Sequence, residues 1–126
     1  FFLCRLIARI LFMHEFSIAQ SLFLLIDRYA QENLAKKVVK VNIKIGKWAG
    51  VEIHSLEMAL NFLKEKTIAR SAEFILESQN LVFFCKTCRR ESSAEQMIFE
   101  CEHCASVDLE VLQGQEMILE SIELET

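Results

Sequence analysis

The first clear repeat in the hydrophobic pattern begins at Ser17 and is helical. Apolar side chains recur at spacings of three and four residues, at Ile18, Leu22, Leu25, Ile26 and Tyr29. This spacing places them on one face of a helix. Because the segment from Ser17 to Gln20 fits a capping box, we expect Ser17 to be the N-cap, and we expect the helix to end near Asn33.

The next two segments predict a strand and a second helix. In VVKVNIKIG, residues 38–46, apolar and polar side chains alternate, which predicts a strand with one buried face that ends at Gly46. The alternating apolar residues are Val39, Val41, Ile43 and Ile45. A helix from about Ile53 to Lys66 follows the turn KWAGV. Its inner face carries Leu56, Ala59, Leu60 and Leu63.

The second half of the chain predicts three further strands around a cysteine-rich segment. Residues 72–84 predict two strands with a short break between them. The closing segment MILESIELE predicts a final strand, in which Ile122 and Leu124 alternate with glutamates. Two helices that pack on one face of a small β-sheet would bury the apolar positions. We therefore expect an α+β fold with the cysteine segment inserted before the last strand.

The composition is that of one ordinary globular domain. The chain has 126 residues, of which 52% are hydrophobic and 25% are charged. A formal net charge of -4 disfavours nucleic acid as a partner, because nucleic-acid-binding proteins usually carry a basic patch. No cleavable secretory signal is visible and four of the five cysteines are paired in sequence. We therefore expect a reducing compartment, the cytoplasm.

The first twelve residues, FFLCRLIARILF, are apolar apart from Arg5 and Arg9. A membrane span needs about 20 apolar residues, and a signal peptide needs a cleavage site of small residues, so neither is predicted. We interpret residues 1–12 as an extension that is not native or is disordered. The alternative is a genuine amphipathic extension, in which case a free Cys4 could link two copies by a disulfide.

Two C-x-x-C pairs are the strongest chemical signal in the chain. They are CKTC at Cys85 and Cys88 and CEHC at Cys101 and Cys104, with twelve residues between them. Two such turns that face each other would place four sulfurs around one zinc ion. Because four thiolates fill the coordination shell, we expect this zinc to be structural rather than catalytic. The alternatives are four ordinary buried thiols or a redox pair.

The cysteine module, residues 79–116, is acidic. It carries three basic against seven acidic side chains, so a protein partner fits it better than the phosphates of nucleic acid. His103 lies inside the second C-x-x-C pair, and we expect it to face solvent because four cysteines complete the site. We expect His54, near the start of the second helix, to be a surface or capping-region residue.

The segment MHE, at Met13, His14 and Glu15, stands directly before the first predicted helix. If Met13 were the first residue, its amine, the His14 amide and the His14 imidazole could enclose a metal in fused chelate rings. Such nitrogen donors suit Ni(II) or Cu(II), and Glu15 can add an oxygen. An internal Met13 would lose one chelate ring. The alternative is that His14 is an exposed or capping residue.

Several of these segments together resemble the HypA/HybF family of hydrogenase maturation factors, which are nickel metallochaperones. The segments are MHEFSIAQSL, VNIKIGKWAGVE, the two C-x-x-C pairs and ILESIELE. The resemblance implies a nickel-binding α/β domain, residues 13–78 with 117–126, and an inserted zinc-binding domain, residues 79–116. It implies nickel at Met13, His14 and Glu15 and zinc at the four paired cysteines.

The resemblance also implies a function and partners. The function is delivery of Ni(II) to the precursor of a [NiFe]-hydrogenase large subunit, with a HypB-type GTPase as working partner. Some family members also serve urease maturation. Glu52, after the glycine-containing turn, is a further candidate oxygen ligand, and the alternative is a charge that favours the helix dipole. Because His14 must be neutral to bind, we expect nickel affinity to fall below about pH 6.5.

Two other classes of function stand beside the nickel chaperone. One is a zinc-ribbon module that binds proteins or accompanies nucleic acid and carries no nickel. The other is an enzyme, which the sequence does not favour, because it shows no Ser/His/Asp set, no glycine-rich phosphate loop and no open metal site. We therefore predict a nickel-binding maturation factor that is not an enzyme.

Overall fold

The computed structural model describes residues 2–10, 15–95, 98 and 100–126, and for residues 2–10 it describes the backbone. The helices are α1 (Glu15–Glu32) and α2 (Ile53–Leu63), and a short 3-10 helix, Lys64–Lys66, continues α2. The strands are β1 (Phe2–Ile10), β2 (Lys37–Gly46), β3 (Glu73–Gln79), β4 (Leu81–Cys85), β5 (Glu91–Ala94), β6 (Leu109–Gln113) and β7 (Met117–Glu125).

The strands form two sheets. The larger sheet has the order β1-β7-β2-β3, in which β2 and β3 are parallel and the other neighbours are antiparallel. Helix α2 makes the crossover that a parallel pair requires. The smaller sheet, β5-β4-β6, is antiparallel and lies within the cysteine module. The predicted α+β fold is confirmed, whereas the exact division into domains stays a prediction.

One hydrophobic core lies between the two helices and one face of the larger sheet. The helices contribute Ile18, Leu22, Ile26, Leu56 and Leu60, each at most 1% exposed. The sheet contributes Val41, Ile43, Ile45, Leu119, Ile122 and Leu124, among others. Leu25, Tyr29 and Leu63 are partly buried at the margin of this core. The predicted inner faces of both helices are therefore confirmed.

Two local predictions were wrong. Helix α1 begins at Glu15, so Ser17 lies in its first turn and does not cap it. The helix therefore extends two residues upstream of the capping-box pattern. In β2, Val38 is fully buried and Val39 is only partly buried. The pairing of β2 with β7 shifts between Val38 and Lys40, and such a shift exchanges the faces of a strand.

Residues 2–10 form an edge strand of the larger sheet. This strand, β1, pairs with β7 from Phe2 opposite Leu124 to Ile10 opposite Met117. The outer edge of β7 offers backbone donors and acceptors that a further strand can pair with. The interpretation of residues 1–12 as an extension that is not native or is disordered stays a prediction.

Candidate metal centre

The cysteine cluster is assembled by two turns with the same backbone pattern. Cys85 ends β4, and the chain turns back so that the N–H of Arg89 donates to the Cys85 carbonyl at 2.7 Å. In the second turn, the N–H of Ala105 donates to the Cys101 carbonyl at 2.8 Å. The hydroxyls of Thr87 and Ser106 lie 2.8 Å apart and link the two turns.

The four sulfurs lie close enough to share one metal ion. All are within 4.8 Å of one another. The Cys85–Cys104 and Cys88–Cys101 sulfur pairs are 3.6 and 3.7 Å apart. Zinc–sulfur bonds of about 2.3 Å in a tetrahedron place the sulfurs ~3.8 Å apart. A disulfide would require about 2.05 Å. The cluster therefore fits a tetrahedral zinc site with four cysteine ligands.

Backbone amides surround the sulfurs. The N–H of His103 donates to Cys101 Sγ at 3.3 Å. The amides of Cys88 and Thr87 act to lower the pKa of Cys85, that of Arg90 acts to lower the pKa of Cys88, and that of Ser106 acts to lower the pKa of Cys104. Such bonds favour the thiolate form, which is the form that binds metal.

The thiols of the cluster ionise unequally. The amides of Cys88 and Thr87 lower the pKa of Cys85 to about 6, against the effect of burial. The Ser106 amide acts to lower the pKa of Cys104, but burial and the neighbouring sulfurs raise it to about 12. Burial raises the pKa of Cys88. Four sulfurs this close cannot all be ionised at neutral pH on their own, so a divalent cation is the natural partner.

Each cysteine turn ends on a residue with left-handed backbone. The φ angle is 61° at Arg89 and 59° at Ala105. A side chain costs about 1–2 kcal/mol in this conformation, which is why glycine usually occupies it. Neither position is glycine here. The turns therefore hold an unfavourable conformation that metal coordination can offset.

The two histidines in the described chain are surface residues, as predicted. His103 is exposed, and its imidazole lies 3.6 Å from the carboxylate of Glu102. His54 is the second residue of α2 and is exposed. Neither belongs to the group of four cysteines that could hold a metal ion.

The MHE segment is described only at its last residue, since Met13 and His14 lie outside the described residues. Glu15 is the first residue of α1, and its carboxylate accepts a hydrogen bond from the Glu52 N–H at 3.0 Å. This contact joins the starts of the two helices across 37 positions of sequence. No periodic pattern or motif in the sequence indicates it.

Glu52 is the N-cap of α2. Its carboxylate accepts a hydrogen bond from the Ser55 N–H, and this bond lowers the pKa of the Glu52 carboxyl group. The interpretation of Glu52 as a helix-start charge is therefore confirmed. Its role as a further nickel ligand stays a prediction.

Fold and site together define a class: small α+β metal-binding proteins that carry a four-cysteine module. In the described part of the chain, neither helix has the length and apolar character needed to cross a membrane. A family model described as "Hydrogenase/urease nickel incorporation, metallochaperone, hypA" matches residues 13–124. The chain belongs to this HypA family, whose members are metallochaperones and maturation factors rather than enzymes.

Individual relatives agree with the family match. The hydrogenase maturation factor HypA of Aquifex aeolicus (strain VF5) is 50% identical over 113 residues, which cover 90% of this chain and 98% of the relative. The HypA of Shewanella oneidensis is 38% identical over 113 residues, which cover 90% of this chain and 96% of the relative.

Solved structures support the fold. The solution structure of the Ni metallochaperone HypA from Helicobacter pylori superimposes with a TM-score of 0.67 at 27% identity, over 90% of this chain and 99% of that one. A second solution structure of a HypA protein superimposes with a TM-score of 0.69 at 27% identity, over 90% of this chain and 97% of that one. The resemblance is confirmed, nickel as cargo follows from the family, and the cysteine cluster fits the structural zinc.

Proposed function

We propose that this chain binds Ni(II) at Met13, His14 and Glu15 and helps to insert it into the precursor of a [NiFe]-hydrogenase large subunit. The family match, which begins at residue 13, is the observation that carries this proposal. Glu15, which follows His14 in the chain and is half-buried at the start of α1, supports it because its carboxylate offers oxygen donors. We place this activity in the cytoplasm, with a HypB-type GTPase and possible urease maturation proteins as partners.

We further propose that Cys85, Cys88, Cys101 and Cys104 hold zinc as a resident ion. Four sulfurs within 4.8 Å complete a tetrahedral shell and leave no position for a substrate or a transferable ligand. The zinc therefore organises the module. The nickel site, in contrast, contains nitrogen and oxygen donors and includes fewer protein side chains, which suits an ion that must be released.

Calorimetric Ni(II) titration of zinc-loaded protein at neutral pH tests the nickel site. Two forms are compared, the chain from Phe1 and a chain that begins at Met13. Strong binding by the Met13 form alone would make its amine a ligand. Equal binding by both forms would place the site on His14 and Glu15 without the amine.

Single substitutions identify the residues that bind nickel. We expect His14→Ala to abolish strong binding, because it removes the imidazole. His103→Ala is the matched control, since it removes an exposed imidazole from the cysteine module and should leave the isotherm unchanged. Absence of nickel binding in every form would refute the proposal and favour a zinc-ribbon interaction module.

A further inference from the structure

Strand β3 lies at one edge of the larger sheet. Its inner neighbour is β2, with which it pairs in parallel from Glu73 opposite Lys40 to Gln79 opposite Gly46. At the other end of the sheet, the edge of β7 is covered by β1. Within the part of the chain that the structure describes, no strand pairs with the outer edge of β3. That edge therefore offers backbone donors and acceptors to a strand of another molecule.

The face of the sheet that points away from the helices is charged, and the sign of the charge alternates between β7 and β2. Lys40 and Lys44 alternate with the buried residues of β2 and so share this face. Lys40 lies opposite Glu123 of β7 in the strand register. The Lys44 ammonium lies 3.3 Å from the carboxylate of Glu120, also on β7. Opposite charges on neighbouring strands stabilise their pairing.

The same two lysines face glutamates on β3. In the parallel register, Glu73 lies opposite Lys40 and Glu77 lies opposite Lys44. Both glutamates are exposed, and neither carboxylate has an ion-pair partner among the described residues. From β7 through β2 to β3 the order of charges is thus acidic, basic, acidic. A strand added beyond β3 would continue this order if it carried basic side chains at the matching positions.

The face of β3 that points toward the helices is apolar. Phe74 and Leu76 lie on this face, and both are only partly buried against the core. The Phe74 ring meets the Phe23 ring of α1 edge-on, with 5.7 Å between the ring centroids. Apolar side chains on an added strand would cover the exposed parts of Phe74 and Leu76, and removing apolar surface from water stabilises the contact.

We propose that the outer edge of β3 is a docking site for an extended segment of a partner protein, which joins the larger sheet as a fifth strand. The segment has two basic side chains four residues apart, opposite Glu73 and Glu77. The apolar side chains between them lie beside Phe74 and Leu76. Strand β2 shows this pattern already, since KVNIK, residues 40–44, pairs with the inner side of β3.

The charge of the edge also distinguishes between occupants. Strand β3 of a second copy of this chain fits poorly, because its glutamates would meet those of the first copy, and like charges on neighbouring strands destabilise their pairing. A partner with a basic and apolar segment meets no such repulsion. The inference does not rest on the proposed nickel site, so the two proposals can fail separately.

A synthetic peptide tests the docking site. The probe is the acetylated and amidated peptide Thr-Lys-Val-Thr-Ile-Lys-Thr, which is titrated into the full zinc-loaded chain and followed by backbone NMR. We expect shifts to change along β3 and not along α1, and we expect the β3 amides that face away from β2 to gain protection from hydrogen exchange. A peptide of the same composition with adjacent lysines is the control for attraction by net charge, and it should bind several-fold more weakly.

Paired substitutions on the chain test the role of the glutamates. We expect Glu73→Gln combined with Glu77→Gln to raise the peptide Kd about three- to tenfold, because two cross-strand charge pairs are lost. Glu57→Gln combined with Glu110→Gln is the matched control. It removes the same charge from exposed positions on α2 and β6 and should leave the Kd unchanged.

A modified peptide tests whether the backbones pair. N-methylation of the neighbouring Val and Thr in the middle of the probe blocks both of its edges, because successive residues of a strand direct their N–H groups to opposite sides. We expect this peptide to lose binding although it keeps every side chain.

Four results would overturn the proposal. If the N-methylated peptide or the peptide with adjacent lysines binds as tightly as the probe, the contact is not strand pairing. If the two double variants bind the probe equally, Glu73 and Glu77 do not select the partner. If the unmodified chain sediments as a dimer whose β3 amides are already protected, a second copy occupies the edge. If the probe does not bind at all, the glutamates only keep the edge from pairing.

Discussion

The helix–sheet domain and the cysteine module maintain their folds by different means. The domain buries one continuous core, to which both helices and the larger sheet contribute. In the described part of the module, the buried side chains are Leu81, Phe83, Cys85, Ser92 and Cys101. Two of these five, Cys85 and Cys101, belong to the metal cluster. The module therefore has almost no apolar interior beyond the site itself.

This difference indicates what each region requires in order to fold. Segments of fewer than about 40 residues rarely bury enough apolar surface to be stable without a metal, a disulfide or a partner. The domain should therefore fold without zinc, whereas the module should not. A perturbation of one region should therefore leave the other region folded, and experiments that report on each region separately can detect this.

The largest expected effect is that of zinc removal on the module. Structural zinc contributes roughly 10–16 kcal/mol in zinc-finger peptides, far more than the module's few apolar contacts can replace. After Cys88→Ser or treatment with a chelator, we expect the amides of β4, β5 and β6 to lose protection from hydrogen exchange, while those of β2 keep it. Ser93→Ala, on an exposed position of β5, is the control. If the β4 amides stayed protected from hydrogen exchange without zinc, the module would not need zinc in order to fold.

The next largest effect is expected in the core of the domain. Leu22 is fully buried and Leu24, on the same helix, is 74% exposed. We expect Leu22→Ala to lower the free energy of unfolding by about 2–5 kcal/mol, because it leaves a cavity. Leu24→Ala should change it by no more than about 0.5 kcal/mol. Urea unfolding followed by circular dichroism measures both. If Leu22→Ala lost zinc under conditions in which the domain is folded, the stability of the module would depend on the core of the domain.

Much of the domain and of the zinc cluster could be predicted from the sequence because both follow short-range rules. The inner faces of α1 and α2 follow the helical repeat, and β7 follows the alternation of apolar residues. The zinc cluster follows from two C-x-x-C pairs, since each pair places two sulfurs on one turn.

The features that were missed depend on long-range pairing. The true start of α1, ahead of Ser17, and the register shift at Val39 are set by neighbouring strands and helices and not by local pattern. The strand at residues 2–10 pairs with the edge of β7, a partner that lies more than 100 positions further along the chain. The contact of Glu15 with the Glu52 amide joins two helix starts whose relative position no sequence pattern specifies.

A smaller effect tests whether metal coordination offsets backbone strain in the module. Ala105 has a φ of 59°, where glycine is favoured by about 1 kcal/mol. We expect Ala105→Gly to raise zinc affinity about fivefold, as measured by competition with a chelator. Ala94→Gly, in strand β5, is the control and should not raise it, because glycine weakens a strand. If both substitutions changed zinc affinity equally, the left-handed backbone at Ala105 would not be a source of strain that zinc offsets.

The smallest effect concerns the cap of α2 and belongs to the domain alone. The Ser55 N–H lowers the pKa of Glu52 below its ordinary value of 4.5. The ionised cap therefore stabilises the folded state fully above that value, and this contribution is lost as the pH falls through the lowered pKa. Urea unfolding of the unmodified chain and of Glu52→Gln, from pH 7 to pH 3, should show a stability difference that shrinks with acid. Zinc loss in acid affects both chains equally, so a difference that stays constant with pH would mean that the charge of Glu52 does not contribute to the cap.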